Sequence, residues 1–504
     1  MKKQNRQIPY DYSYDESPGA QFGIKTLRGV GWSTLTNVVH QAVRFVVLFV
    51  LARLLSPEDF GLVGMATVAI AFAQVFQTGG LGLALIQRKD LTETQISSSF
   101  WAIAFLGTCL TIILLALSSL VGRFYGNQQV VPLLAVLAFA FLFGSLTIVP
   151  RALVTRAIDF RALFFIEIGS VFFGGVIALT AAYQGFAVWS LVAGTLAESL
   201  CRLILLWAYT RWLPRMIFEF DTLRPLLPIA LPVLALAILH YFAMNMEYVI
   251  IGKYLGPVAL GLYTLAYKIM LSPLSQVSDA ISRVILPGFS SIQDDRTRIG
   301  KVFLKMSRYI SFITFPAMTG LMIVASEVIH VFLGVKWLPA ADVLRVLTIV
   351  GAIASIQSIA SMIFLSQGRS DILLKWSLFS TACYVVGYFA GLPWGINGVA
   401  VGHAAASVLL APIYFVIALR LVDIELRSLA VSLAPAMFGA ATLGLILAGL
   451  RTTKFVQTMN VNSRLLLLVC VGVAIYAGFT LLFRRPFLAE MRDTLNQAWR
   501  SKPA

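Results

Sequence analysis

Residues 51–62 read LARLLSPEDFGL, and residues 251–262 read IGKYLGPVALGL. Across an ungapped offset of 200 positions, Leu55, Pro57, Gly61 and Leu62 return as Leu255, Pro257, Gly261 and Leu262, and Arg53 returns as Lys253. The same offset carries His40 onto His240, in a chain with only four histidines. One helix–turn–helix junction is thus written twice, and the sequence reads as an internal duplication.

Composition sets the solvent. Hydrophobic residues make up 59% of the 504 positions and charged residues 12%, with a mean hydropathy of +0.85. A soluble domain carries about 25% charge and about 45–50% apolar residues, so this chain is expected to sit in lipid. Apolar runs long enough to cross ~30 Å of hydrocarbon recur near 30–53, 60–85, 97–121, 131–151, 163–183, 186–210, 225–250, 257–281, 302–325, 341–365, 372–392, 396–419, 429–449 and 464–483. Lipid-exposed backbone must satisfy its own hydrogen bonds, which makes these spans helices.

The basic residues test that reading. Of 39 Lys and Arg residues, 28 fall in the N-terminal segment, in every second loop and in the C-terminal tail. Only seven occupy the intervening loops (Arg53, Arg123, Lys253, Lys336, Arg451, Lys454 and Arg464), and four lie within spans (Arg44, Arg202, Lys268 and Arg345). Such alternation is what the positive-inside rule produces, and one miscounted helix would scramble it. Both termini are therefore expected in the cytoplasm. The net charge of +16 then faces anionic headgroups rather than nucleic acid.

The fold expected is an all-α polytopic membrane protein of about fourteen spans: two pseudo-symmetric six-helix lobes plus two C-terminal helices. Residues 1–24 form a disordered polar extension, 25–215 the first lobe, 216–425 the second, 426–485 the last two helices and 486–504 a cytoplasmic tail. A weaker echo, YQGFAVWSLVAG (183–194) against PWGINGVAVGHA (393–404), supports six helices matching six. A parallel repeat of this kind relates two lobes by an axis along the membrane normal, the architecture of alternating access. Cys109, Cys201, Cys383 and Cys470 are scattered singly and read as packing residues, not metal ligands or disulfides.

The segment LARLLSPEDFGLVGMATVAIAFAQVFQTGGLGLALIQR (51–88) resembles the N-terminal signature of the polysaccharide transporters of the multidrug/oligosaccharidyl-lipid/polysaccharide exporter superfamily. The run 255–299 is similar to the matching region of the second lobe. The resemblance implies fourteen helices and the flipping of undecaprenyl-diphosphate-linked oligosaccharide units across the bacterial inner membrane, for exopolysaccharide, capsule or O-antigen. Its implied partners are that lipid-linked oligosaccharide, the bilayer and the polymerase or export machinery.

A flippase breaks no bond, so no catalytic constellation and no cofactor are expected. It needs a wet cavity, and polar stripes on spanning helices mark one. The first helix carries Thr34, Asn37, His40, Gln41 and Arg44 on one face; the second adds Thr67, Gln74 and Thr78. The seventh carries His240, Tyr241, Asn245, Glu247 and Tyr248, and the eighth Thr264, Lys268, Ser272, Ser275 and Asp279. Arg44 and Lys268 are the candidates for the diphosphate, since guanidinium binds phosphate oxygens in pairs. The alternative for Arg44 is pairing with Glu247, Glu198 or Glu167 to fix helix packing. Arg202 is expected to snorkel to the interface, and Arg345 is ambiguous. His40 and His240, or Glu167, Glu198, Glu247 and Asp279, are candidates for ion coupling. Tyr241, Tyr248, Tyr263 and Tyr267 are candidates for stacking on sugar. Pro228, Pro232 and Pro273 are expected to kink their helices. The basic stretch 288–308 is expected as an amphipathic surface segment or a topogenic loop.

The competing readings are a peptidoglycan lipid-precursor flippase and a multidrug antiporter of the same superfamily. A membrane glycosyltransferase with Glu58 and Asp59 as acids is a third, weakened by an external loop too short for an acceptor domain. The topology is directly testable. With the native cysteines replaced by serine, Asn127→Cys should react with an impermeant maleimide in intact cells, and Ala157→Cys only after permeabilisation.

Overall fold

The computed structural model describes residues 19–483 apart from 79–81, 83–84, 87–90, 224–226 and 292–294. Six helices come first: α1 (Gly19–Leu54), α2 (Pro57–Thr78), α3 (Glu93–Tyr125), α4 (Val130–Arg156), α5 (Phe160–Tyr183) and α6 (Val188–Thr210). The run Leu227–Ser291 is interrupted at Gly256 (φ 82°, ψ −178°), giving α7 (227–255) and α8 (257–291). Then follow α9 (Arg296–Phe332), α10 (Ala340–Ser366), α11 (Ser370–Gly391), α12 (Gly395–Arg420), α13 (Leu426–Thr452) and α14 (Val461–Phe483). Among the described residues, 12 helical stretches are long and apolar enough to cross a membrane. Two of these, Tyr241–Ser272 and Ser370–Arg420, each contain a pair of helices. The expected architecture of two six-helix copies followed by α13 and α14 is the one observed.

Local signals start the helices where the sequence supplies them. Pro57 begins α2, a position that needs no free N–H. Before it, the Ser56 N–H donates to Asp59 Oδ2 at 2.8 Å and the Asp59 N–H donates to Ser56 Oγ at 3.2 Å. Thr92 and Gln95 form a reciprocal capping box at α3. Asp159 and Asp295 accept from the first turns of α5 and α9.

The duplication is visible in the turns as well as the letters. Left-handed φ recurs at Gly126 (68°) and Gly334 (98°), Ile158 (55°) and Gly368 (64°), Gly185 (84°) and Gly395 (67°), and Arg211 (46°) and Asp423 (54°). These are the turns after the third, fourth, fifth and sixth helix of each copy. Three of the residues are neither glycine nor asparagine, and left-handed backbone is costly for such side chains. Positive φ therefore recurs at matching turns of the two copies despite divergent sequence, although ψ differs within the first pair, 21° at Gly126 and 173° at Gly334.

Close packing follows membrane rules. Lipid gives no hydrophobic drive for helix association, so small residues bring backbones together. In α11–α12, a Cβ added to Gly391 would lie 2.1 Å from the Gly398 carbonyl oxygen, and one on Gly402 would lie 2.1 Å from that of Gly387. The equivalent pair α5–α6 meets through Gly174 and Gly194, where the added Cβ atoms would lie 2.7 and 3.0 Å from each other's carbonyl oxygens. Outward-facing residues such as Phe438, Leu445 and Leu466 are apolar and exposed, as a lipid-facing surface requires.

By packing, the chain divides into two compact units, Met1–Gly261 and Leu262–Ala504. In the first, α1 packs on α5, α4 on α2, α3 and α6, and α5 on α6. In the second, α9 packs on α10, α13 and α14, and α12 on α10 and α11. The packing boundary lies beyond the expected lobe boundary near 215, because α7 joins the first unit. Its Tyr241 packs among Val68 and Val75 of α2, and the Tyr241 hydroxyl donates to the Val68 carbonyl at 2.8 Å.

Two local expectations change. α1 begins at Gly19, inside the stretch read as a disordered extension; residues 1–18 and 486–504 lie outside the described residues. The basic stretch 288–308 is no separate surface helix, since Arg296, Arg298, Lys301, Lys305 and Arg308 all lie in α9. Asp295 caps that helix, accepting from the Arg298 N–H at 2.9 Å. The side chains of Pro228, Pro232 and Pro273 lie outside the described residues; the break within 227–291 falls at Gly256. The four cysteines are free, with Cys470 exposed and the other three half-buried.

Overpacking a glycine contact of this kind costs about 1–3 kcal/mol. Gly402→Ala should therefore lower the melting temperature of the detergent-solubilised chain, measured by thiol-dye unfolding. Gly449→Ala, with nothing within 4 Å of the added Cβ, should leave it unchanged.

Candidate functional site

Five charged side chains from four helices meet inside the first unit. Arg44 on α1 donates through Nη2 to Glu198 Oε1 on α6 at 2.8 Å. One turn along α6, Arg202 Nη2 donates to the same oxygen at 2.6 Å, so one carboxylate oxygen serves two guanidinium groups. Arg202 Nε also lies 3.0 Å from Glu167 Oε2 on α5, and Arg151 Nη2 of α4 lies 3.3 Å from Glu167 Oε1. Both of these contacts lack hydrogen-bond alignment, which makes them ion pairs held by charge alone.

The chain of contacts runs Arg44–Glu198–Arg202–Glu167–Arg151. Three cations and two anions leave one positive charge in excess. Burial is graded along it: Glu167 is 9% exposed, Glu198 19% and Arg202 23%, whereas the terminal Arg44 and Arg151 are 53% and 57% exposed. The carboxylates are sealed in the middle and the two end guanidiniums are open. His40, one turn before Arg44 on α1, is half-buried and within electrostatic range of Arg44, Glu167, Glu198 and Arg202.

The rest of the α1 stripe continues on the open side. Thr34, Asn37 and Arg44 are exposed and Gln41 is half-buried, a spacing that places them on one face. On α2, Thr67 and Gln74 are exposed. Such a face can hold a hydrated anionic group against fixed positive charge.

The α7 candidates divide. Tyr241 is enclosed and its hydroxyl is committed to α2, so it offers no platform to a sugar. Asn245 Nδ2 donates to the Tyr241 carbonyl at 2.9 Å. Glu247 is buried at 4% exposure, and Tyr248 is half-buried. The side chains of His240, Ser275 and Asp279 lie outside the described residues.

In the second unit Lys268 is exposed, with Thr264 and Ser272 half-buried on the same helix. Tyr263 is fully enclosed and stacks on Tyr267 at 6.4 Å between ring centroids. Its hydroxyl lies 3.3 Å from Nδ1 of His403, whose ring meets Tyr384 and Tyr388 edge-on at 5.2 and 5.4 Å. That cluster removes Tyr263 from the sugar-stacking candidates, and it uses a histidine the sequence stripes did not single out. A further ion group joins the two helices outside the repeat to α9. Glu327 is 1% exposed and lies 3.2 Å from Arg451 of α13 and 3.3 Å from Arg464 of α14.

Two arginines leave their expected places. Arg202 is held by Glu198 and Glu167 and does not reach for the interface, because two buried carboxylates outweigh headgroup contact. The signal was present in the i, i+4 spacing of Glu198 and Arg202. Arg345 pairs with Asp342 and donates to Ser326 Oγ at 2.5 Å. Arg151, counted with a cytoplasmic loop, is a member of the network; nothing in its local sequence pointed to Glu167.

Residues 50–342 match the model of a family described as polysaccharide biosynthesis protein. The chain is 27% identical over 441 residues to the lipopolysaccharide biosynthesis protein WzxC of Escherichia coli K12, covering 84% of this chain and 89% of that one. It is 28% identical over 454 residues to the teichuronic acid biosynthesis protein TuaB of Bacillus subtilis 168, covering 89% and 94%. It is also 26% identical over 480 residues to the succinoglycan biosynthesis transport protein ExoT of Rhizobium meliloti 1021, covering 92% and 94%. Among solved structures, the fold is shared with the lipid II flippase MurJ at a TM-score of 0.74 and 15% identity, over 91% of this chain and 100% of that one. A multidrug resistance transporter of the MATE family and the MOP superfamily matches at a TM-score of 0.58 and 17% identity, over 76% and 94%. The chain belongs to the polysaccharide biosynthesis protein family, as a multi-pass membrane protein whose fold is shared with membrane transport proteins.

Proposed function

We propose that the chain flips polyprenyl-diphosphate-linked oligosaccharide repeat units from the cytoplasmic to the outer leaflet of the bacterial inner membrane, by alternating access, for exopolysaccharide, capsule or O-antigen synthesis. Both termini are cytoplasmic in this reading, and the units pass on to a polymerase or export machinery. The observation that carries it is the surplus cation of the Arg44–Glu198–Arg202–Glu167–Arg151 network, with its open guanidinium groups at the two ends.

The physical argument is one of solvation. A guanidinium facing hydrocarbon is expensive, so the open faces of Arg44 and Arg151 look into water. A lumen of low effective dielectric strengthens their pull on a phosphate beyond its value in bulk water. Each end guanidinium makes a single ion pair, leaving donors free to grip phosphate oxygens in the fork geometry. The buried carboxylates hold the arginines in place and keep the lumen from carrying a charge too large for the substrate to leave. Lys268, exposed on α8, is the second candidate cation for the diphosphate. The sugars line up against Thr34, Asn37, Gln41 and Gln74, and the polyprenyl tail stays in lipid.

Deleting the gene should strand lipid-linked repeat units on the cytoplasmic leaflet. Arg44→Ala and Lys268→Ala should each cut export about tenfold or more at normal membrane abundance, the worth of one hydrogen bond to a charged group at about 1.5–3 kcal/mol. Arg44→Lys should recover only part. Normal export by both alanine variants would overturn the binding assignment. Transport of the peptidoglycan lipid precursor by purified protein in vesicles, in preference to a repeat unit, would reassign the cargo.

A further inference from the structure

The two helices outside the repeat are fastened to α9 by ordinary membrane contacts. Val324 of α9 shares a buried cluster with Leu443 and Leu447 of α13 and Leu468 of α14. The Ser432 hydroxyl donates to the Leu304 carbonyl at 3.0 Å, and the Tyr476 hydroxyl donates to the Phe312 carbonyl at 2.8 Å. All of these residues belong to the second compact unit. A hairpin held in this way is in place without ions.

Ions are present all the same, and their balance is not that of a fastener. Glu327 lies about one and a half turns before the end of α9, Arg451 in the last turn of α13 and Arg464 in the first turn of α14. One carboxylate faces two guanidiniums, which leaves one positive charge over. Glu327 is sealed at 1% exposure, whereas Arg451 and Arg464 reach the surface at 32% and 24%. Neither carboxylate oxygen has a hydrogen-bond partner. Arg451 donates from Nη1 to the Ile323 carbonyl at 3.1 Å. The Arg464 guanidinium donates to no other described residue, and its buried Nε has only the ion contact with Glu327. A guanidinium carries several N–H donors in a fixed fork, and an unmatched donor at the edge of hydrocarbon is costly. The pair thus presents more donors than the protein's own acceptors fill. The sequence adds weight: of the seven basic residues in the sparsely basic loops, Lys336, Arg451, Lys454 and Arg464 fall in or beside the turns after α9 and α13. Positive charge there runs against the positive-inside bias, so topogenesis does not account for it.

We propose that Arg451 and Arg464 form a phospholipid headgroup site, which takes the phosphate of an anionic glycerophospholipid. With both termini cytoplasmic, this end of α9, α13 and α14 faces the outer leaflet. The phosphate oxygens accept from the two guanidiniums in the fork geometry, and Glu327 holds the arginines in place. A lipid with one net negative charge matches the one surplus positive charge, so a zwitterionic lipid binds less well. Away from the charged end, Leu445, Ile446, Leu466, Val469 and Val473 are exposed and apolar, a surface for the acyl chains. The site lies in the second unit and does not depend on the cargo proposed for the first.

Native mass spectrometry of the delipidated full chain, titrated with phosphatidylglycerol or with phosphatidylcholine of the same acyl chains, reads the site. The unaltered chain should retain phosphatidylglycerol severalfold more tightly. Removing one arginine unbalances a buried carboxylate, so the three charges are better removed together. Glu327→Leu, Arg451→Met and Arg464→Met combined replace the ion group by apolar side chains, which spares the fold, and the preference should vanish. Glu327→Gln alone should strengthen it, because the surplus rises from one positive charge to two; a mere fastener would gain no lipid. Equal retention of the two lipids by the unaltered chain, an undiminished preference in the triple variant, or weaker retention in Glu327→Gln would each overturn the site. Displacement of phosphatidylglycerol by equimolar polyprenyl diphosphate in an Arg44→Ala, Arg151→Ala chain would overturn it too, since the occupant would then be cargo.

Discussion

A charged group inside a bilayer must find another charge or water, at a cost of several kcal/mol if it finds neither. The first unit is arranged around that constraint. Two carboxylates on α5 and α6 are sealed between arginines from α1, α4 and α6, which ties four helices together across the middle of the unit. Breaking such a pair leaves an uncompensated buried charge and costs about 3–5 kcal/mol, so the network also fixes the helix geometry. What the pairing leaves over is one positive charge, with the exposed guanidiniums at the two ends, and the proposed function rests on that surplus.

The second constraint is backbone proximity. With no hydrophobic drive between helices in lipid, contacts are made where side chains are absent. Glycine contacts within the hairpins α5–α6 and α11–α12 join helices linked by short turns, and serve as fixed joints. The duplicated turns meet in the same way within the first unit, where a Cβ on Gly61 would lie 1.7 Å from the Pro257 carbonyl oxygen and one on Gly261 1.9 Å from that of Pro57.

Much of this was legible in the letters. Hydropathy and the alternation of Lys and Arg gave the span count, because both follow from lipid thermodynamics and not from tertiary detail. The repeat at Pro57 and Pro257 was visible in sequence, and its meaning, Gly61 on Pro257 and Gly261 on Pro57, needed coordinates. The alternative reading of Arg44 as the partner of Glu198 is the contact observed, while Arg151 and Arg202 were misplaced. Which carboxylate an arginine finds depends on helix rotation, which a polar stripe does not specify. Tyr241 and Tyr263 show the same limit: a tyrosine on a polar stripe can turn its hydroxyl to a neighbouring helix and be buried there. The register of the two copies survives better in left-handed turn residues such as Ile158 and Gly368 than in side-chain identity.

Direct binding to purified protein tests the central claim, that surplus fixed charge in the first unit holds a lipid-linked diphosphate. Native mass spectrometry should show retention of a polyprenyl diphosphate over the neutral polyprenol of equal length, with retention lost in an Arg44→Ala, Arg151→Ala double variant. Equal retention of the diphosphate and the alcohol, or undiminished retention by the double variant, would contradict the account.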